Sequence, residues 1–296
     1  MSEKRKIGIA GVGMVGGAVK KYFENKSNYE LFLYDKGKGI GSPEELNKAD
    51  YIYVCVPTPY NGAKCDISIV EEVITQLDDG KILIIKSTVI PGTTDIIQKK
   101  FPNQKVLFVP EFLTEETADQ DMSYPDRQII GYTKESFEHT ADIKLQLPLA
   151  PYVRIMPALE AEMIKYATNC WFTLKVTYAN QMYDLCEQTG IDYKMVLEGM
   201  AADKRIGRTH LKIDHKGYRG YGGKCLPKDS KALIAYAKEN GISFKLLEEA
   251  DRYNDELVKF QGLDPLNTGS KLDKLEDKEE RYTHAKELKI KKENEK

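Results

Sequence analysis

The sequence predicts an α/β fold, a parallel sheet wound with helices on both faces, followed by an all-helical region. Three observations carry this. Short β-branched runs alternate with helical or polar stretches through the first half of the chain. A G-x-G-x-x-G pattern follows the first such run and opens a helix. From about Pro157 onward, apolar residues recur every three or four positions.

Lys6-Ile7-Gly8-Ile9-Ala10 reads as a buried strand, and Gly11-Val12-Gly13-Met14-Val15-Gly16 follows it, with helical spacing from Ala18 to Phe23. The first glycine turns the chain, the second admits a pyrophosphate to the backbone, and the third lets helix approach strand; phosphates then sit at the helix N-terminus. A lone pattern of this kind is weak and fits a plain glycine turn. Here strand, helix and acid stand in register, because a second strand from Tyr29 to Tyr34 ends in Asp35, nineteen residues past Gly16. An acid there accepts the ribose hydroxyls and disfavours a 2′-phosphate, so NAD is the expected cofactor. That gives the unit a Rossmann-type character.

Further strands are predicted at Tyr51–Val56, Ile82–Ile85, Val106–Val109 and Gln128–Gly131. Three of them feed polar loops: Pro57-Thr58-Pro59, Ser87-Thr88 before Pro91-Gly92, and Pro110-Glu111-Phe112-Leu113-Thr114-Glu115. Ligands of such sheets bind outside the carboxyl ends of the strands, so substrate and nicotinamide are expected there. Glu111 and Glu115 read equally well as ordinary loop acids.

Leu159, Met163, Tyr166, Cys170, Leu174, Tyr178, Met182 and Leu185 mark one long amphipathic helix closed by Gly190. Lys165 and Asn169, four apart, share a helix face and offer a charge and an amide to one small group, or else form a solvated face. More helix is expected at Tyr193–Met200 and Lys228–Glu239. Between these lies Gly220-Tyr221-Gly222-Gly223-Lys224-Cys225-Leu226-Pro227-Lys228-Asp229, where a glycine loop hands over to a helix. Pro227 suits a first helical turn. A thiol beside a helix N-terminus and two lysines is favoured as thiolate, and Asp229 follows one turn later. The bland alternative is a buried cysteine acting as a small hydrophobe.

At 296 residues and 41% hydrophobic content, two domains are expected. They are residues 1–157, carrying the sheet, and 158–255, all-helical. Residues 256–296 form a charged tail, disordered or a lone helix, after a linker at Gly262–Gly269. A net charge of -2 makes no case for nucleic acid or a membrane surface. Five scattered cysteines without C-x-x-C spacing argue against a disulfide framework and a zinc site, so no metal is expected. No apolar run reaches the ~18 residues of a membrane span, and the chain enters its first strand without a signal peptide. A cytoplasmic location is the expectation.

Seven motifs in order now resemble a known family: the glycine loop, Cys-Val-Pro-Thr-Pro at 55–59, Lys-Ser-Thr at 86–88, Pro-Glu-Phe-Leu-x-Glu at 110–115, Pro-Asp-Arg at 125–127, Lys-x-x-x-Asn at 165–169 and the cysteine loop at 220–229. They are similar to those of the nucleotide-sugar 6-dehydrogenases, the UDP-glucose/GDP-mannose dehydrogenase family, over residues 4 to 255. The resemblance implies a four-electron oxidation of a sugar C6 alcohol to a carboxylate with two NAD⁺, UDP-glucose being the favoured substrate. GDP-mannose or a UDP-N-acetylhexosamine is the alternative. It implies that Cys225 is the nucleophile, forming a thiohemiacetal and then a thioester, and that Asp229 with a water handles protons. Lys165 and Asn169 stabilise the C6 oxygen, and Glu115 and Thr88 serve the hydrolytic water. Cofactor contacts fall on Gly11, Val12, Gly13, Met14, Val15, Gly16, Asp35, Thr58, Thr88, Glu115 and Lys228. Substrate contacts fall on Glu111, Phe112, Leu113, Lys165, Asn169, Arg205 and Gly222, with Arg205 lent across a homodimer formed by the central domain.

Family members continue into a second α/β domain that holds the uridine diphosphate, and its Lys-Pro-x-Thr-Asp-Asp-x-Arg signature is absent from this sequence. Weakened substrate affinity is therefore expected. Two further arrangements are implied: a separate chain that carries the domain, or a role for this chain as an impaired NAD-binding dimerisation or regulatory partner of a full-length enzyme.

Overall fold

The computed structural model describes residues 4–62, 65–266 and Thr268. They fall into two compact units, one up to Lys165 and one from Tyr166. The charged stretch expected at 271–296 lies outside the described residues.

In the first unit the chain runs β1 (Arg5–Ala10), α1 (Met14–Glu24), β2 (Tyr29–Tyr34), α2 (Pro43–Leu46), β3 (Tyr51–Val54), α3 (Ser68–Thr75), β4 (Ile82–Ile85), α4 (Thr93–Lys100), β5 (Lys105–Phe108), α5 (Ala118–Ser123), β6 (Arg127–Tyr132), α6 (Thr140–Gln146) and β7 (Tyr152–Pro157). The seven strands lie in the order β2-β1-β3-β4-β5-β6-β7. Side chains alternate between two cores, as strand geometry requires. Ile52, Val54, Leu83, Ile85, Val106 and Phe108 face one core with residues of α2, α3 and α4. Ile7, Ile9, Tyr53, Ile84 and Leu107 face the other with Val19 and Phe23 of α1 and Ile143 of α6. Both faces are covered, which is why these strands read as nearly continuous apolar runs.

The expected parallel sheet holds from β2 to β5. Beyond it, β6 pairs with β5 in antiparallel sense, and β7, a strand outside the predicted set, pairs parallel to β6. The link between β5 and β6 holds only the six-residue α5, which is tied to α1 by a Lys21–Asp119 ion pair of 2.5 Å. A connection that stays at one end of the sheet returns the next strand in the opposite direction. β7 escaped the periodicity because it is an edge strand whose residues are mostly exposed or half-buried.

Helix α7 (Ala158–Thr189) is a single 32-residue helix, as the periodicity predicts. Its buried face differs from the apolar stripe, however. Leu159, Met163, Tyr178 and Leu185 are exposed, whereas Thr173, Thr177 and Asn180 are buried with Tyr166 and Cys170. Burial of these polar residues is possible because Thr177 and Asn180 donate back to carbonyls four residues earlier, and Thr173 shares a 2.8 Å hydrogen bond with Ser230. The second unit continues with α8 (Tyr193–Ala201), the short hairpin β8 (Asp214–His215) and β9 (Tyr218–Arg219), then α9 (Leu226–Glu239) and α10 (Lys245–Phe260). The sequence reading did not mark α10, whose buried positions Leu247, Ala250, Asn254 and Val258 keep helical spacing among dense charges.

The start of α7 also anchors α4. The Glu162 carboxylate accepts from Gly92 N (2.5 Å), Thr94 N (2.8 Å) and Thr94 Oγ1 (2.5 Å), capping α4 from another helix. Burial outweighs these bonds and pushes the Glu162 pKa up to about 7. A folded-state pKa above the unfolded value stabilises fully below about 4.5, and that contribution is lost as pH rises through 7. The difference in unfolding free energy between wild type and Glu162→Gln is therefore expected to shift by about 3 kcal/mol between acidic and mildly alkaline pH. Urea titrations of both proteins across that range check this.

Candidate functional site

In the first unit the glycine loop and the strand-end loops converge. Gly11 has φ +84°, and a Cβ at Gly16 would lie 1.8 Å from Gly11 O, so that position requires glycine. Gly13 is the N-cap of α1; no side chain caps that helix, and nothing lies within 4 Å of where its Cβ would be. No side-chain cap thus competes for the first-turn amides, and Gly13 leaves room beside them, as a pyrophosphate needs. Asp35 Oδ2 accepts from Val12 N at 2.8 Å, and Oδ1 accepts from Lys38 N at 3.0 Å. A carboxylate has about four acceptor sites, so two remain for ribose hydroxyls. Val12, Met14, Ile40 and Glu115 line one groove beside α1. These residues fit NAD.

The loops after β3, β4 and β5 are cross-tied. Thr58 Oγ1 donates to Thr88 O at 2.7 Å, Ser87 Oγ to Val56 O at 2.6 Å, and Lys86 Nζ to Val109 O at 3.1 Å. Beside them Lys165 Nζ donates to Glu111 Oε1 at 2.7 Å, with both side chains buried. Glu111 Oε2 also accepts from Leu113 N at 2.8 Å. Burial works to raise the Glu111 pKa, yet the Lys165 ammonium and the Leu113 amide together hold it below the ordinary carboxylate value. Burial holds the Lys86 pKa below the ordinary lysine value and pushes the Cys55 thiol up to about 12, which favours the neutral thiol. Phe112 carries the Arg127 guanidinium 3.8 Å from its ring centroid and the Lys165 ammonium at 5.7 Å. Lys86 lies in the Lys-Ser-Thr motif and Arg127 in the Pro-Asp-Arg motif, and the sequence signal of each is a charge within or beside an apolar strand.

In the second unit Cys225 is exposed and is the N-cap of α9, with Pro227 in the first turn. Asp229, one turn on, is 1% exposed. Asn169 Nδ2 donates to its Oδ2 at 2.5 Å, and the Lys228 ammonium donates to its Oδ1. Lys228, expected as a thiol neighbour and cofactor contact, is thus engaged with Asp229. Lys165 and Asn169 are both buried, which rules out the solvated-face reading of that pair. Arg205 lies on the surface, forked onto the Asp203 carboxylate at 2.7 Å. A Cβ on Gly222 would stand 2.3 Å from Thr268 Oγ1 and 2.4 Å from Tyr218 Oη, so that glycine is closely covered. Among the described residues no group of three or more His, Cys, Asp or Glu is placed to hold a metal ion, and no helix is long and apolar enough to cross a membrane.

Comparison with known proteins agrees with this layout. Residues 40–144 match the UDP-glucose/GDP-mannose dehydrogenase family, NAD binding domain, and residues 159–256 match the central domain of the same family. A UDP-glucose 6-dehydrogenase of Rickettsia bellii is 35% identical over 248 residues, covering 80% of this chain and 55% of the relative. One from Pseudomonas aeruginosa is 36% identical over 233 residues, covering 71% and 49%. The chain spans about half the length of the curated relatives it matches. The structure of a UDP-glucose dehydrogenase from Pyrobaculum islandicum superposes with a TM-score of 0.77 at 26% identity, over 88% of this chain and 70% of that one. An open helix N-terminus behind a glycine turn, an acid at the end of the second strand and two successive domain matches point to one origin: the chain belongs to the UDP-glucose/GDP-mannose dehydrogenase family.

Proposed function

We propose that the chain carries the catalytic residues for oxidising the C6 alcohol of a nucleotide sugar, UDP-glucose foremost, to the carboxylate. The observation that carries this reading is Cys225: an exposed thiol at a helix start, one turn before a buried carboxylate that is held by Asn169 and Lys228. NAD, when bound, supplies the hydride acceptor. Asp229, through a water, takes the hydroxyl proton as the alcohol becomes an aldehyde. The Cys225 thiolate adds to the aldehyde carbon, and the resulting thiohemiacetal would lose a hydride to a second NAD⁺, exchanged for the first NADH, and a proton to become a thioester. Water then attacks the thioester, C–S cleavage releases the acid, and the thiol is restored. Lys165 and Asn169 stabilise negative charge on the C6 oxygen, while Glu115 and Thr88 hold and activate the water. Gly11 to Gly16, Asp35 and Thr58 hold the cofactor, and Glu111, Phe112, Leu113 and Gly222 border the sugar.

The five described cysteines are all free of disulfides, in keeping with a reducing, cytoplasmic setting. Trp171, Tyr178 and Leu185 are exposed at seven-residue intervals along α7, a face suited to the homodimer that would place Arg205 at a partner's substrate. Light scattering is expected to give twice the chain mass, and Trp171→Glu is expected to give the monomer.

The purified protein is tested with NAD and UDP-glucose, GDP-mannose and UDP-N-acetylhexosamines, each titrated to saturation, by NADH absorbance. Turnover fastest with UDP-glucose supports the proposal. Binding of NAD without turnover on any sugar overturns the enzymatic reading in favour of an impaired partner of another dehydrogenase.

A further inference from the structure

Helix α10 reaches back to the segment that leads into Cys225. Asn254, 1% exposed, pairs with both backbone groups of Tyr221: Tyr221 N donates to Asn254 Oδ1 at 2.7 Å, and Asn254 Nδ2 donates to Tyr221 O at 2.9 Å. Gln261, two helical turns on, treats Arg219 in the same way. Arg219 N donates to Gln261 Oε1 at 2.9 Å, and Gln261 Nε2 donates to Arg219 O at 3.0 Å. Two side-chain amides thus satisfy the donors and acceptors of alternate residues, as a neighbouring strand would.

The residue between them is Gly220, with φ +90°. A Cβ there would stand 2.6 Å from Asn254 Oδ1, so the clamp closes only on glycine. The Tyr221 side chain is fixed as well. Its hydroxyl donates to Asp251 at 3.0 Å, and Lys231 of α9 donates to the other oxygen of Asp251 at 2.6 Å. From Tyr221 onward only Gly222, Gly223 and Lys224 precede the cysteine, and two glycines transmit little constraint of their own. The clamped Tyr221 therefore fixes the entry to this loop, which is tied once more before the thiol where Gly223 N donates to Thr268 Oγ1 at 2.8 Å.

We propose that Asn254 and Gln261 are positioning residues that set where the glycine loop delivers Cys225 to the start of α9. The inference rests on the reading of Cys225 as nucleophile, but placement of the thiol is measurable without turnover. Asn254→Asp keeps the shape and turns the Nδ2 donor into an oxygen facing the Tyr221 carbonyl. Gln261→Glu does the same at Arg219.

Alkylation of Cys225 by iodoacetamide in the folded protein is followed by peptide mass at a series of pH values. Asn254→Asp is expected to change the Cys225 rate constant by ~10-fold and to move the midpoint of its pH profile, with the four other cysteines unaffected. In turnover, kcat is expected to fall by roughly 10- to 100-fold with KM for NAD unchanged, the scale of an ångström-level displacement. Gln261→Glu acts in the same direction, and carries the test alone should Asn254→Asp fail to fold by circular dichroism. Wild-type rates and midpoints in the folded variants overturn the proposal. A shifted alkylation profile together with full turnover of Cys225→Ala upholds the positioning role while refuting the proposed nucleophile.

Discussion

Replacing Cys225 with alanine is expected to lower steady-state NADH formation from UDP-glucose by ~10³-fold or more while leaving the fold intact. Nucleophile knockouts in covalent catalysis reach this scale because the covalent pathway is lost as a unit. The structural cost is small for a stated reason: Cys225 is an exposed N-cap whose side chain makes no capping hydrogen bond. A surface substitution of that kind is expected within about 0.5 kcal/mol of wild-type stability. The first oxidation does not require the thiol, so rapid-quench measurement is expected to retain formation of NADH and aldehyde in a single turnover. Steady-state acid production within about ten-fold of wild type, far short of the ~10³-fold loss expected for a nucleophile knockout, would refute the role given to Cys225.

Replacing Lys165 with methionine is expected to cost 3–5 kcal/mol of stability as well as activity, on the scale of about that measured for breaking buried ion pairs. Lys165 and Glu111 are both buried and meet at 2.7 Å, so removal of the ammonium leaves a carboxylate with one remaining described donor, the Leu113 amide. The depressed Glu111 pKa fixes the pH dependence: its stabilising contribution is present above the ordinary carboxylate pKa and is lost as pH falls through the folded value. Lys165→Met inverts that sign, because an unpaired buried carboxylate favours the protonated form. The double variant Lys165→Met, Glu111→Leu is expected to recover most of the stability and none of the activity, since an apolar pair of similar size avoids the desolvation penalty. Urea denaturation of the two singles and the double gives the coupling energy. An additive cycle would contradict the pairing.

Much of this chain could be read before its fold was known, and the parts that could share a local cause. The glycine loop, the acid after β2 and Pro227 beside Cys225 are local devices, each placed by backbone sterics within a few residues. The direction of β6 was not readable, because it depends on where the connection through α5 lies against α1. The buried face of α7 differs from its apolar stripe for a similar reason: Thr173, Thr177 and Asn180 are buried through hydroxyl and amide bonds that leave no apolar periodicity. Asn254 and Gln261 left no sequence signal. An amide on a charged helix reads as surface until the strand-like segment it clamps is in place.

The most direct test of the central claim is the stoichiometry of a completed reaction. A known amount of UDP-glucose is exhausted in excess NAD, and NADH and the sugar products are counted. The thiol mechanism predicts two NADH and one uronate per sugar consumed, with a mass increment on the Cys225 peptide when the reaction is quenched in progress. One NADH per sugar, with aldehyde as the final product and no adduct on Cys225, would contradict it.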